Sequence, residues 1–214
     1  MTGIISDNVA RTSGLIKAAS GGGGGVWTKI KEQTASSSSS ITFEHGSSDV
    51  VLDSTYPIYK FVWINCHPAT NNVTFSFQGN AVGASGFNET ITSTAFLATA
   101  NEAGNDAGLN YAAGRDQAQG TGYQDLTSFN GNQNDSATSG ELWIFSPSQT
   151  TFVKLFMSRS QQMNVEAPYT TDDYRAGYFN ITSAIDEFDF KMSSGNIDAG
   201  TIVLYGLKDS AWVE

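Results

Sequence analysis

The sequence predicts an all-β protein: an antiparallel two-sheet β-sandwich of jelly-roll-like type, with an extended N-terminal arm. Three observations carry this. Apolar and polar residues alternate with period two in segment after segment from Val26 to Gly206. No amphipathic helical repeat is long enough to cross over between parallel strands, which excludes an α/β fold. Charged residues are only 15% of the chain, and Ser, Thr, Asn and Gly take their place, as in proteins of short strands and many turns. The 214 residues, 39% hydrophobic and 12% aromatic, suffice for one large domain over 26–214.

Residues 1–25 stand apart. Ile4, Ile5, Leu15 and Ile16 are too few to build a core, and the segment ends in Gly21–Gly25. Five successive glycines lose the most backbone entropy on ordering, so they read as a joint. The segment is therefore an arm, and its four apolar residues are candidate anchors on a neighbouring subunit.

Strands follow in order. Val26–Lys31 puts Val26, Thr28 and Ile30 on one face and Trp27, Lys29 and Lys31 on the other. The Ser36–Ser40 run is a turn or edge before the alternating Ile41–His45. Ile58–Cys66 is apolar on both faces, as a central strand is. Val73–Gln78 alternates, and with Ile58–Cys66 it reads as a hairpin across His67–Asn72. Glu89–Ala98 is a further strand. Residues 99–139 are rich in Gly, Asn, Ala, Asp and Gln and read as a long partner-facing loop. Gly140–Phe145 and Thr151–Met157 form a second hairpin. Tyr174–Thr182 and Ala184–Met192 are strands, the latter with a slip in its alternation that marks a bulge. Ser193–Asn196 is a turn, and Gly200–Gly206 is a buried closing strand.

The chemistry of the chain is sparse. Cys66 has no second cysteine to pair with and lies in an apolar run, where a thiol acts as a small hydrophobe. His45 and His67 have no His or Cys at metal-ligand spacing. Nucleophile-elbow, zinc-protease and phosphate-loop motifs are absent. The Asp186–Asp189 stretch does not place two carboxylates and a third partner on one face, as a sugar-cleaving pair would require. Asn164, Glu166, Asp172 and Asp173 read as one oxygen-rich loop, but without a calcium-loop pattern. Trp63 and Trp143 read as core, while Trp27 and Trp212 are candidates for packing against a neighbour. No cofactor is expected. The net charge of −10 excludes nucleic-acid binding of the usual kind. It is uneven: residues 1–40 hold four cations against two anions, +2, leaving −12 on the rest. No apolar run approaches a membrane span.

Three phrases carry a family resemblance: Trp27-Thr28-Lys29-Ile30 leading to Ile41-Thr42-Phe43; Tyr59-Lys60-Phe61 with Asn65-Cys66-His67-Pro68-Ala69-Thr70-Asn71-Asn72-Val73; and Ser194-Gly195-Asn196-Ile197-Asp198-Ala199-Gly200-Thr201-Ile202 before Leu204-Tyr205-Gly206. The series resembles virion structural proteins of tailed bacteriophages, especially those of marine bacteria and cyanobacteria. That resemblance implies a β-sandwich particle component without catalytic residues, made in a host cytoplasm and carried on the virion. The leading expectation is a head decoration or cement protein, a homotrimer whose arm reaches the major capsid protein or another virion protein. A tail-fibre or receptor-binding protein is the alternative, with Tyr111, Tyr123 and Asp125 of the long loop meeting a host glycan. A polysaccharide-cleaving sandwich enzyme is the third reading.

Overall fold

The computed structural model describes residues 26–164 and 169–208. The arm, with Ile4, Ile5, Leu15 and Ile16, lies outside the described residues, as do Glu166 and Trp212. Two antiparallel sheets pack face to face. The larger contains β1 (Val26–Thr34), β3 (Ile58–Pro68), β5 (Ile91–Asn101), β6 (Ala107–Tyr111), β7 (Ala118–Gly120), β9 (Thr138–Phe145), β10 (Lys154–Met163), β11 (Tyr169–Phe179) and β13 (Ile197–Lys208). Its order is β1-β13-β3-β9-β10-β11-β5-β6, with β7 also paired to β5. The smaller contains β2 (Ile41–Glu44), β4 (Phe75–Ala81), β8 (Gln124–Asp125) and β12 (Ile185–Met192), in the order β2-β12-β4-β8. The sandwich expected from the sequence is therefore present, and the match to a jelly roll holds at the level of class.

The core is aromatic because each strand turns its apolar alternates inward. From the large sheet come Phe61, Trp63, Phe156 and Phe179; from the small one come Phe43, Phe75, Phe77, Phe188 and Phe190, all buried. They meet across the interior, Phe61 on Phe43 at 5.3 Å, Trp63 on Phe75 at 5.4 Å and Phe77 on Phe156 at 5.2 Å between ring centres. Aromatic contacts of this kind, two edge-to-face and one tilted, add about 0.5–1.5 kcal/mol each beyond the area they bury. Cys66 is fully buried among them.

The hairpin expected between Ile58–Cys66 and Val73–Gln78 does not form. β3 lies between β13 and β9 in the large sheet, and β4 lies between β12 and β8 in the small one. Residues 69–74 carry the chain across the sandwich. Alternation fixes which face of a strand is buried, and it is equally satisfied by neighbours in one sheet or by partners across the core. The β9–β10 hairpin does form, as does the bulge in β12, between Ile185 and Glu187. β3 is central in its sheet, but its outer face is only half covered: Ile64 is 48% exposed. Beside it, β13 and β3 carry facing irregularities. Gly200 there has φ +116, and a Cβ would lie 2.6 Å from the Cα of Cys66, so only glycine fits.

Residues 99–139 also differ from expectation. They are not one surface loop. β6 and β7 extend the large sheet at its edge, β8 joins the small sheet, and the stretch around β8 goes inside. Gln124, Leu126, Thr127, Ser128 and Asn130 are buried. They meet a polar half of the inner face, where β10, β11 and β5 present Ser158, Ser160, Gln162, Asp173, Arg175 and Ser93. The Ser160 hydroxyl donates to the Leu126 carbonyl at 2.8 Å, and the Ser93 hydroxyl donates to Gln124 at 2.6 Å. Ser128 donates twice to Asp173, from its N–H at 3.1 Å and its hydroxyl at 2.7 Å. Arg175, wholly buried, donates to Asp173 at 2.8 Å and to the carbonyls of Asp125, Phe96 and Tyr174. A buried ion pair persists only when its remaining hydrogen-bonding positions are also satisfied, and here the inserted segment supplies them together with carbonyls of β5 and β11.

Asp172 and Asp173, expected as a loop pair, lie in β11 and point to opposite faces. Asp173 is buried against Arg175, and Asp172 faces out against Arg159. The pleat separates neighbours by construction, so the two cannot share one cation. Trp143 is the last correction. Unlike Trp63 it lies on the outer face of the large sheet, half-buried under Trp27.

Candidate functional site

The outer face of the large sheet is where the described residues concentrate exposed, organised side chains. Residues directly opposite in antiparallel strands share a face, so the register defines rows across it. One row runs Lys60, Trp143, Met157, Ala176, Thr94. The next runs Val62, Glu141, Arg159, Tyr174, Phe96, Tyr111. A third contains Gln161, Asp172, Ala98 and Leu109.

Side chains in these rows hold one another. Arg159 donates to both oxygens of Asp172, at 3.0 and 2.7 Å, and its guanidinium lies 5.0 Å over the Tyr174 ring. The Tyr174 hydroxyl donates to the same carboxylate at 3.1 Å, and its ring stacks on Phe96 at 4.7 Å and 6°. Asp172 is held below the usual carboxylate range by Arg159, and Arg159 is held more firmly charged by Asp172. On the other side Lys60 sits over Trp27 and Trp143, at 4.5 and 4.9 Å, with its ammonium 3.5 Å from Glu141. An exposed arginine ordinarily gains little from one ion pair; this one is fixed by a forked bond and a ring.

Three depressions join along this face. A slot of about 280 Å³ has Met157 and Ala176 at its base between Trp143 and the Tyr174–Phe96 stack. Through Glu141 and Arg159 it continues into a polar trough of about 500 Å³ lined by Ser139, Gln161, Thr170 and Asp172. Through Gln161 and Thr170 the trough reaches a third depression of about 280 Å³ beside Asn101 and Tyr169.

Among the described residues, the two outermost strands of the large sheet differ. β1 carries Lys29 and Lys31 and a bulge between them, devices that blunt an edge against added strands. β6 reads Ala-Gly-Leu-Asn-Tyr without a charge, and leaves Leu109 72% and Tyr111 59% exposed.

The three loop residues picked from the sequence do not converge. Tyr111 lies on β6, its hydroxyl donating to Asp116 at 2.6 Å. Tyr123 and Asp125 lie with the small sheet. Tyr123 donates to Asp189 at 2.8 Å beneath the Lys191 ammonium, and Asp125 pairs with Arg115 at 2.9 Å and accepts from Thr74. The sequence does not single out Arg159, Glu141, Tyr174 or Phe96, and it reads Trp143 as core. The signal available was the strict alternation in Met157-Ser158-Arg159-Ser160-Gln161, which places Met157, Arg159 and Gln161 on one face; their partners lie on other strands.

Groups with reactive potential elsewhere are engaged or buried. Burial pushes the Cys66 thiol up to about 12. His45 accepts the Leu52 N–H at 3.1 Å, and His67 lies 3.1 Å from the Gln133 carbonyl oxygen. Among the described residues no group of three or more His, Cys, Asp or Glu side chains is placed to hold a metal ion, and no helix is long and apolar enough to cross a membrane. No protein-family model, curated protein or solved structure matches the chain.

Proposed function

We propose that this chain is a non-enzymatic assembly protein of the capsid decoration or cement type, adding its sandwich to a phage particle through contacts with other copies and with the major capsid protein. The observation that carries the reading is the contrast between the two edges of the large sheet. One is blunted, and the other offers an uncharged strand with two large exposed side chains. Such an edge adds a neighbour's strand by main-chain hydrogen bonds, while side chains such as Leu109 and Tyr111 supply apolar area. Each bond contributes about 1 kcal/mol net, and repetition by symmetry multiplies a modest local gain. A homotrimer is the assembly proposed, which requires the strand added to β6 to come from a different segment of the neighbour, since β6 on β6 closes as a dimer.

The test is the mass of the full chain in solution by light scattering across a concentration series. Self-association is expected, and Leu109→Lys is expected to reduce it at least tenfold, about 1.4 kcal/mol, without lowering the melting temperature. A chain that stays monomeric at all concentrations, or a variant that associates like the parent, contradicts the role given to β6.

A further inference from the structure

We infer that the joined depressions on the outer face of the large sheet form a binding groove for a neutral, unbranched oligosaccharide. This goes beyond the assembly reading and does not depend on it. The groove runs alongside β10 from Met157 to Met163, roughly 20 Å at strand rise, room for several sugar rings in a row. Its slot offers apolar surface, the Trp143 ring on one side and the edge of the Tyr174–Phe96 stack on the other, the faces of Tyr174 being covered by Phe96 and Arg159. Apolar faces of sugar rings pack on such surfaces, while hydroxyls at the ring edge need donors and acceptors. The adjoining trough supplies both: Arg159 and the Thr170 hydroxyl donate, and Glu141, Asp172 and the side-chain carbonyl of Gln161 accept.

Two features choose a neutral sugar over other occupants. The charges lining the groove have partners already, Arg159 pairing with Asp172 within it and Glu141 with Lys60 beside it. Glu102 at the far end adds a negative charge, so an anionic glycan is repelled on balance. An apolar protein segment would fill the slot but would also strip water from the trough's carboxylates and guanidinium without replacing their hydrogen bonds, which opposes its binding. A hydroxylated chain replaces them. The polar groups are also fixed beforehand. Arg159 is locked by Asp172 and Tyr174, and Gln161 donates to Thr170 at 2.7 Å. Groups that do not have to be ordered on binding lose less entropy to it.

The experiment titrates the full chain with neutral hexasaccharides of the gluco, manno, galacto and xylo series, and with an oligo-uronate of equal length. Tryptophan fluorescence and amide chemical shifts are the readouts. At least one neutral series is expected to bind saturably with Kd at or below about 1 mM, shifting amides of β9, β10 and β11, and the oligo-uronate is expected to bind at least tenfold more weakly. Arg159→Ala and Tyr174→Ala are expected to weaken binding about tenfold or more. The Arg159 variant should melt near the parent, since its ion pair is exposed. Tyr123→Phe, on the small sheet, should bind like the parent. The proposal is overturned if no neutral series binds, if the uronate binds best, or if Tyr123→Phe rather than Arg159→Ala removes binding. Shifts of the groove amides on dilution of the protein alone, with none on adding sugar, would instead make this face a contact between copies.

Discussion

Arg175 is the side chain whose removal tests the architecture most directly. Its guanidinium is wholly buried, pairs with Asp173, and reaches carbonyls on the inserted segment, on β5 and on its own strand. Arg175→Met keeps much of the apolar stem and deletes the charge. Asp173 then remains buried with only the two Ser128 donors. Breaking a buried pair from one side costs about 3–5 kcal/mol, a large part of the 5–15 kcal/mol typical of a domain. With a urea slope near 2 kcal/mol/M, the midpoint should fall by roughly 1.5–2.5 M. Hydrogen exchange should quicken first across residues 122–130, which the pair anchors. The deficit should also shrink with acid. Burial raises the Asp173 carboxyl above the usual carboxylate range, and losing Arg175 raises it further. The folded variant then holds a proton that the unfolded chain releases, so its stability increases as pH falls through the folded value toward about 3.9. Asp173→Asn added to Arg175→Met should recover part of the loss at neutral pH. A single variant whose midpoint lies within about 0.3 M of the parent, less than 1 kcal/mol, would refute the idea that this pair holds the segment in place.

Gly140→Ala should destabilise by about 2–3 kcal/mol, because its Cβ would lie 2.5 Å from Trp63 and within 2.8 Å of backbone at Arg159 and Ser160. Gly79→Ala, whose nearest neighbours are side chains at 3.1 Å or more, should cost clearly less, and paired thermal melts compare the two. Cys66 should resist alkylation in the native protein at pH 8 and react at once in denaturant, as mass spectrometry would show; fast native labelling would contradict its burial. Because its folded value is raised, the stability tied to the thiol is full below about 8.5 and drains as pH climbs toward 12. Urea midpoints measured between pH 8 and 10 should therefore decline.

How legible the fold was depended on what each pattern encodes. Period-two alternation in Val73–Gln78 or Thr151–Met157 reports burial on one side of a pleated strand, and that sufficed for the class, for most strands and for the aromatic core. The same alternation says nothing about which strand lies alongside, and so the Ile58–Cys66 and Val73–Gln78 runs read as a hairpin although they face each other across the interior. Composition misled over 99–139 for a related reason. Its polar residues matched a surface loop, but Gln124, Ser128 and Asn130 are polar because they meet the polar inner face of β10, β11 and β5. The candidate groove was invisible for the strongest reason. Glu141, Arg159, Tyr174 and Phe96 are each ordinary in their own segments, and only register brings them into one row.

By itself, then, the sequence determined an all-β sandwich, a buried and inert Cys66 and the absence of familiar catalytic motifs, since these follow from local periodicity and residue chemistry. The tertiary structure alone decided strand order, the insertion of residues 122–130 and the assembly of the outer face. Those depend on hydrogen bonds and packing between segments far apart in the chain, which no local pattern records.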